Sequence, residues 1–158
     1  MTENSGLYGG RIVVGVDGTS ASAAAVSWAV EEARLRRATV HLVVVTCDHD
    51  RNSRALYAGR PGEPQPEEDS ATRTALFTAE RQAGKALPPD RLSSELADGS
   101  PAKVLIDRSS GAELLVLGSA YPEDRSASQA PVPMGPVARA CLHDAACPVV
   151  VVATPRAL

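Results

Sequence analysis

The sequence has no apolar run near the roughly 18 residues needed to span a bilayer, so no membrane association is expected. Residues 1–10 are polar and Gly-rich, without the basic start and apolar stretch of a secretory signal. They are expected to form a disordered N-terminal segment ahead of one domain over residues 11–155. Cysteine is scarce: Cys47, Cys141 and Cys147. An odd count with no Cys-x-x-Cys pair builds neither a disulfide framework nor a zinc site. With no export signal, free thiols in a cytoplasmic protein are expected. Positive charge is not in excess, since 16 Lys+Arg stand against 19 Asp+Glu for a net charge of −3. That removes the simplest case for a nucleic-acid partner, which needs a basic surface. Lys is rare (Lys85 and Lys103), which reads as composition rather than function.

What is present is ordinary globular material: 158 residues, 44% hydrophobic and 22% charged. That length fits one domain able to bury its own core. Four short runs are almost continuously apolar: Arg11–Val16, Val40–Thr46, Glu113–Gly118 and Pro148–Ala153. Such runs suit strands buried on both faces, as in a parallel sheet. Leu92–Ala97 partly alternates and is expected at an edge. Helical segments fall between them. Residues 19–37 open on Thr/Ser cap candidates and close on Arg34, Arg36 and Arg37, cations placed for the negative end of the helix dipole. Ser22, Ala25, Ala29 and Ala33 give that helix a stripe of small residues, with Trp28 beside it. Residues 67–87 carry Ala71, Ala75, Ala79 and Ala83 at spacings of four and stop before Pro88-Pro89. Ser100-Pro101 and Pro136 open two further helices, the first stopping near Gly111 and the second spanning 137–143. Strands alternating with helices predict an α/β fold with right-handed crossovers. Residues 47–66 and 119–133 are irregular. Both follow strand C-termini, where open α/β folds place their ligands.

Three ordered motifs carry a family resemblance. The first is Val13-Val14-Gly15-Val16-Asp17-Gly18-Thr19 with Ser22, Ala25, Trp28, Ala29 and Ala33. The second joins Gly99-Ser100-Pro101-Ala102-Lys103-Val104-Leu105 to Ala112–Ser119. The third is Gly135, Val137-Ala138 and Ala146–Val152. Together, over residues 11–153, they resemble the universal stress proteins. The resemblance implies an open twisted five-stranded parallel sheet of order 3-2-1-4-5 with helices on both faces, Rossmann-like and of the adenine nucleotide alpha hydrolase type. It also implies homodimers paired through the last strand, here Pro148–Ala153, and a role in stress response through binding.

One branch of that family binds ATP through Gly-x-x-Gly, nine residues, then Gly-Ser/Thr. Glycines let backbone N–H groups approach phosphate, and the closing Gly-Ser sits at a helix N-terminus that attracts anions. This sequence keeps Gly118 and Gly135 but has Tyr121-Pro122 at the second glycine. Residues 122–134 separate Tyr121 from Gly135, thirteen positions rather than nine, and Pro136 replaces the hydroxyl residue. Glu123 and Asp124 add negative charge there, offset in part by Arg125 and Arg139. The resemblance assigns Asp17 and Gly18 to ribose and base and the Val45 backbone to adenine, retains Gly118 and Gly135 of the phosphate loop, and puts Ser119 and Val137 in the same adenine-nucleotide site. Asp17 also reads as a turn or helix-cap residue, and Val45 as core. Two readings stay open. In one, a stress-type binding protein has a weak or absent adenine-nucleotide site and needs no cofactor. In the other, a switch holds ATP or AMP with a rebuilt loop. An interacting protein partner is expected in either, its identity open.

Catalysis has no positive signal. There is no Gly-x-Ser-x-Gly elbow and no Gly-x4-Gly-Lys-Ser/Thr loop. Asp48-His49-Asp50 is three consecutive loop residues that cannot easily converge on one ion. His41 reads as a packed or hydrogen-bonded strand residue rather than a base, and His143 as a helix-end cation. Cys141 and Cys147 read as small packed side chains before redox sensors.

Overall fold

The computed structural model describes residues 9–46, 66–119 and 134–153, with side chains from residue 70 in the second stretch. Expectations for residues 1–8, Cys47, Asp48-His49-Asp50, the irregular stretch up to residue 65, and Tyr121 to Pro133 lie outside them. The elements are β1 (Arg11–Val16), α1 (Ser20–Arg36), β2 (Thr39–Thr46), α2 (Pro66–Gly84), a 3-10 turn (Pro89–Arg91), β3 (Leu92–Asp98), α3 (Pro101–Ser109), β4 (Leu114–Gly118), α4 (Pro136–Asp144) and β5 (Val149–Val152). The five strands pair parallel throughout, in the order β3-β2-β1-β4-β5. The α/β class and this strand order are those expected.

The apolar runs divide by strand parity between two cores. Ile12, Val14, Leu42, Val44, Leu114 and Val116 face α1 and α2. Val13, Val43, Leu115 and Leu117 face α3 and α4, against Leu105, Ala138 and Cys141. Strands covered on both faces have no polar side to show, hence their unbroken apolar sequences. Helix α1 buries Ser22, Ala25, Ala29 and Ala33, and these small side chains bring it close to the sheet. In α2 the alanine stripe is buried only at its end: Ala79 and Ala83 are buried, Ala75 is half-buried and Ala71 exposed. This helix also stops at Gly84, short of residue 87. The N–H groups of both Ala86 and Leu87 fall on the Ala83 carbonyl, which tightens the last turn and swings Leu87 into the core. Cys141 is buried, and both its thiol and that of Cys147 are pushed up from the ordinary value by burial. That favours packing over thiolate chemistry.

The C-terminus of α1 is capped by a residue the sequence did not single out. The Arg91 guanidinium donates to the Ala33 and Ala38 carbonyls, at 2.7 and 2.9 Å from Nη2. Arg36 instead pairs with Glu32 (2.5 Å) and Glu113 (2.7 Å).

Edge strand β3 carries a polar chain on the face shared with α3. His41 meets Ser93 through Nδ1 (2.7 Å) and Glu95 through Nε2 (2.7 Å), as expected of a hydrogen-bonded strand histidine. Arg108 of α3 clamps the same Glu95 carboxylate through Nε and Nη2. These bonds, the Arg108 pair foremost, lower the Glu95 pKa from 4.5 to about 2. A depressed carboxylate stabilises the fold above its unfolded pKa and loses that contribution as pH falls toward the folded one. Glu95→Gln is therefore expected to cost about 1 kcal/mol near neutral pH, a charged hydrogen bond reduced by screening. The gap between wild type and variant, followed by urea denaturation, should close between pH 4.5 and 2. An equal gap at pH 7 and pH 3 would show that the clamp adds nothing to stability.

Candidate functional site

β1 and β4 are neighbours at the centre of the sheet, and the helices that follow them leave on opposite faces. That divergence opens a crevice at the strand C-termini, the place where doubly wound sheets bind ligands. Here it forms a cleft of about 280 Å³. Its floor is Gly15, Val16, Val43 and Leu117, and its walls come from the first turns of α1, α3 and α4. The size is close to the lower end for small-ligand sites, at roughly 300 Å³.

Five of the seven site residues expected from the sequence line this cleft: Asp17, Val45, Gly118, Gly135 and Val137. Two do not. Gly18 lines a separate hollow of about 300 Å³ between α1 and α2. Its φ of 84° turns the chain there, and a Cβ would lie 3.2 Å from that of Ala75. Ser119 is fully buried; its N–H donates to the Val152 carbonyl at 2.9 Å, so it serves the sheet rather than the cleft. Among the described residues its Oγ has no partner.

The Asp17 turn is built as follows. Thr19 is the N-cap of α1: its Oγ1 accepts from the Ser22 N–H at 3.2 Å. Asp17 accepts twice on one oxygen, Oδ1, from the Thr19 N–H (3.0 Å) and the Thr19 hydroxyl (2.6 Å). Asp17 is thus a turn residue and Thr19 the helix cap. The carboxylate is exposed and is the only charged lining residue among those described. Arg139 lies on the exposed side of α4 and does not line the cleft. Val45 lies one residue past the last β1–β2 pair, Val16↔Val44, and is still paired on its other side with Ala97 of β3.

Pro101 and Pro136 each take the first position of a helix whose start lines the cleft. Proline suits that position because no intrahelical bond needs its N–H. In α4 the Arg139 N–H is the first to bond back, to Gly135. Among the described residues, the preceding N–H groups of Val137 and Ala138, in the first turn, have no backbone acceptor. Sequence reasoning missed Pro101, Leu105 and Ala138 as cleft residues, and read Thr19 as a helix-cap candidate and Ser22 as part of the small-residue stripe of α1. The Ser-Pro start shortly after β3 and the Gly-Pro start of α4 were the available signal.

The model of the universal stress protein family matches residues 10–153, nearly the whole chain. The chain belongs to the universal stress protein family. It is 32% identical over 141 residues to a universal stress protein of Mycobacterium tuberculosis strain H37Rv, and 31% identical over 150 residues to one of Mycobacterium bovis. Both alignments take in 89% of this chain but 47% of the relative, so the chain spans about half the length of the curated relatives it matches. Solved universal stress proteins share the fold. UspA from Lactobacillus plantarum superposes with a TM-score of 0.68 at 22% identity, covering 92% of this chain and 98% of that one. The Archaeoglobus fulgidus protein in complex with dAMP gives 0.62 at 21% identity, covering 91% and 97%. An Arabidopsis thaliana member with AMP bound gives 0.55 at 14% identity, covering 92% of each chain.

Proposed function

We propose that this universal stress protein acts in stress response as a binding and regulatory protein rather than by turnover, and that its cleft takes an adenine nucleotide weakly and chiefly by its adenosine part. The observation that carries this reading is the character of the cleft. It is mainly apolar, its one charged lining residue among those described is the anion Asp17, and no described cation lines it. Apolar walls suit a purine, and a carboxylate suits a hydroxyl or amine donor. Neither attracts phosphate. Nucleotides in the solved relatives support the ligand class, and Tyr121 and Pro136 in place of the phosphate-contacting residues support the weak triphosphate term.

The alternative, an ATP or AMP switch with a rebuilt loop, is favoured by one feature: the first turn of α4 at the cleft, where the N–H groups of Val137 and Ala138 have no backbone acceptor among the described residues. A helix N-terminus attracts anions. Calorimetric titration with ATP and AMP, with and without magnesium, separates the two. ATP is expected to exceed AMP by no more than about tenfold, or 1.4 kcal/mol. Micromolar ATP binding beside negligible AMP binding would establish a working phosphate cradle and sink the first reading.

The same proposal includes a cytoplasmic homodimer paired through β5. That strand is four half-buried valines at the sheet edge. A bare apolar edge invites pairing, and two-fold symmetry closes it. Val151→Lys is expected to give monomer or aggregate by light scattering. A wild-type chain that stays monomeric at about 100 μM would count against the dimer.

A further inference from the structure

Trp28 is the only tryptophan of the chain, and it is half-buried rather than enclosed. The two flanks of α1 fix where it lies. On one flank, Gln82 of α2 donates to the Ala23 carbonyl at 2.8 Å and to the Ser27 hydroxyl at 2.7 Å. Trp28, Glu32 and Arg36 recur at spacings of four along the opposite flank. There Arg36 meets Glu113, the residue before β4, at 2.7 Å. Helix α1 also reaches across to β5. Trp28 thus stands over the β4–β5 side of the sheet, away from α2, and packs on the same core as Val150 and Val152. Those two valines lie on the α1 face of β5, while Val149 and Val151 turn toward α3 and α4. All four stay half-buried at the outer edge of the sheet.

We propose that Trp28, with Val150 and Val152, forms a docking surface for a second copy of this chain, so that the dimer is held by the α1 flank as well as by the β5 edge. This rests on the β5 dimer reading. Strand pairing alone is too small. A stable interface takes about 800 Å² from each partner, or roughly 20–30 residues a side. Strand β5 offers four residues. A tryptophan adds roughly 150–250 Å² and is a preferred interface anchor. An antiparallel β5 pair related by a two-fold axis through the sheet puts both α1 helices on one face, each Trp28 flank toward the other. Charge does not oppose that approach, because Glu32 and Arg36 on this flank pair with each other at 2.5 Å. A tryptophan that served only its own core would keep its surroundings whether or not a second copy were present.

A single tryptophan makes the test direct. Wild-type chain is diluted from about 100 μM, and its association is followed by sedimentation velocity beside Trp28 emission and acrylamide quenching. Dissociation should shift the emission to longer wavelength and make quenching easier, both with the midpoint of the sedimentation change. Trp28→Ser should weaken the dimer at least about tenfold, as loss of an interface anchor does. Trp28→Phe keeps an aromatic side chain there and should weaken it by less than about threefold. Melting curves record that both variants fold, and if Trp28→Ser does not, the wild-type dilution decides alone. Emission and quenching that stay constant while wild type dissociates would overturn the Trp28 surface and leave the β5 dimer standing. A folded Trp28→Ser dimer as tight as wild type would do the same. A wild-type chain that is monomeric at about 100 μM would overturn the dimer reading itself, and this surface with it.

Discussion

Gly118→Ala is expected to destabilise the protein by about 3 kcal/mol, the upper end of the usual cost of overpacking. A Cβ built at position 118 lies 2.8 Å from the Ser22 nitrogen and closer still to the Ala21 carbonyl. Both are backbone atoms of the first turn of α1, so no change of rotamer relieves the clash. The helix cannot retreat as a body, because Ala25, Val26 and Ala29 behind that turn are fully buried against the sheet. For a chain of this size the loss corresponds to roughly 6–12 °C in melting temperature. The same movement would displace Ala21 and Ser22 from the cleft wall, so nucleotide binding should fall together with stability. An unfolding free energy from urea denaturation within about 1 kcal/mol of wild type would mean that α1 can shift over β4, and that the close packing matters less than the distances imply.

This contact shows what a sequence can and cannot state. Gly118 stood out as the end of an apolar run and as a matching motif position. Its reason, the approach of α1 from the other end of the chain's first crossover, is a tertiary fact with no local signature. The strands were legible because burial on both faces removes polar alternation, and α1 because its small residues recur at helical spacing. The end of α2 was not, because two N–H groups share the Ala83 carbonyl there and the helix stops before its pattern does. Arg91 capping α1 was not, because its acceptors lie 53 and 58 residues away. In the site, Asp17, Val45, Gly118, Gly135 and Val137 follow from the order of the motifs along the chain. Gly18 and Ser119 sit next to cleft residues in sequence, yet one turns toward α2 and the other goes under the surface, as successive positions at a strand end do. Which residue caps α1 was open between Asp17 and the residues after it. It is decided by a single hydrogen bond, Ser22 N–H to Thr19 Oγ1.

That assignment sharpens what Asp17→Ala should do. Were Asp17 the helix cap, its loss would lower stability by about 1 kcal/mol and leave binding untouched. The cap is Thr19, and Asp17→Ala leaves it in place. What Asp17 loses is an exposed carboxylate whose bonds come from a residue two positions on, so the stability change should be small, within about 0.5 kcal/mol. Binding is another matter. If Oδ2 accepts from a ribose hydroxyl or an adenine amine, its removal costs about 1.5–3 kcal/mol, some ten- to a hundredfold in adenosine affinity. Phosphate should gain slightly, since the variant removes the one described negative charge from the cleft lining. The preference for ATP over AMP should therefore rise as adenosine affinity falls. Titration of both nucleotides against Asp17→Ala, beside a melting curve, measures all three effects. Unchanged adenosine affinity with a lowered melting temperature would make Asp17 a purely structural turn residue and move recognition to the apolar walls alone.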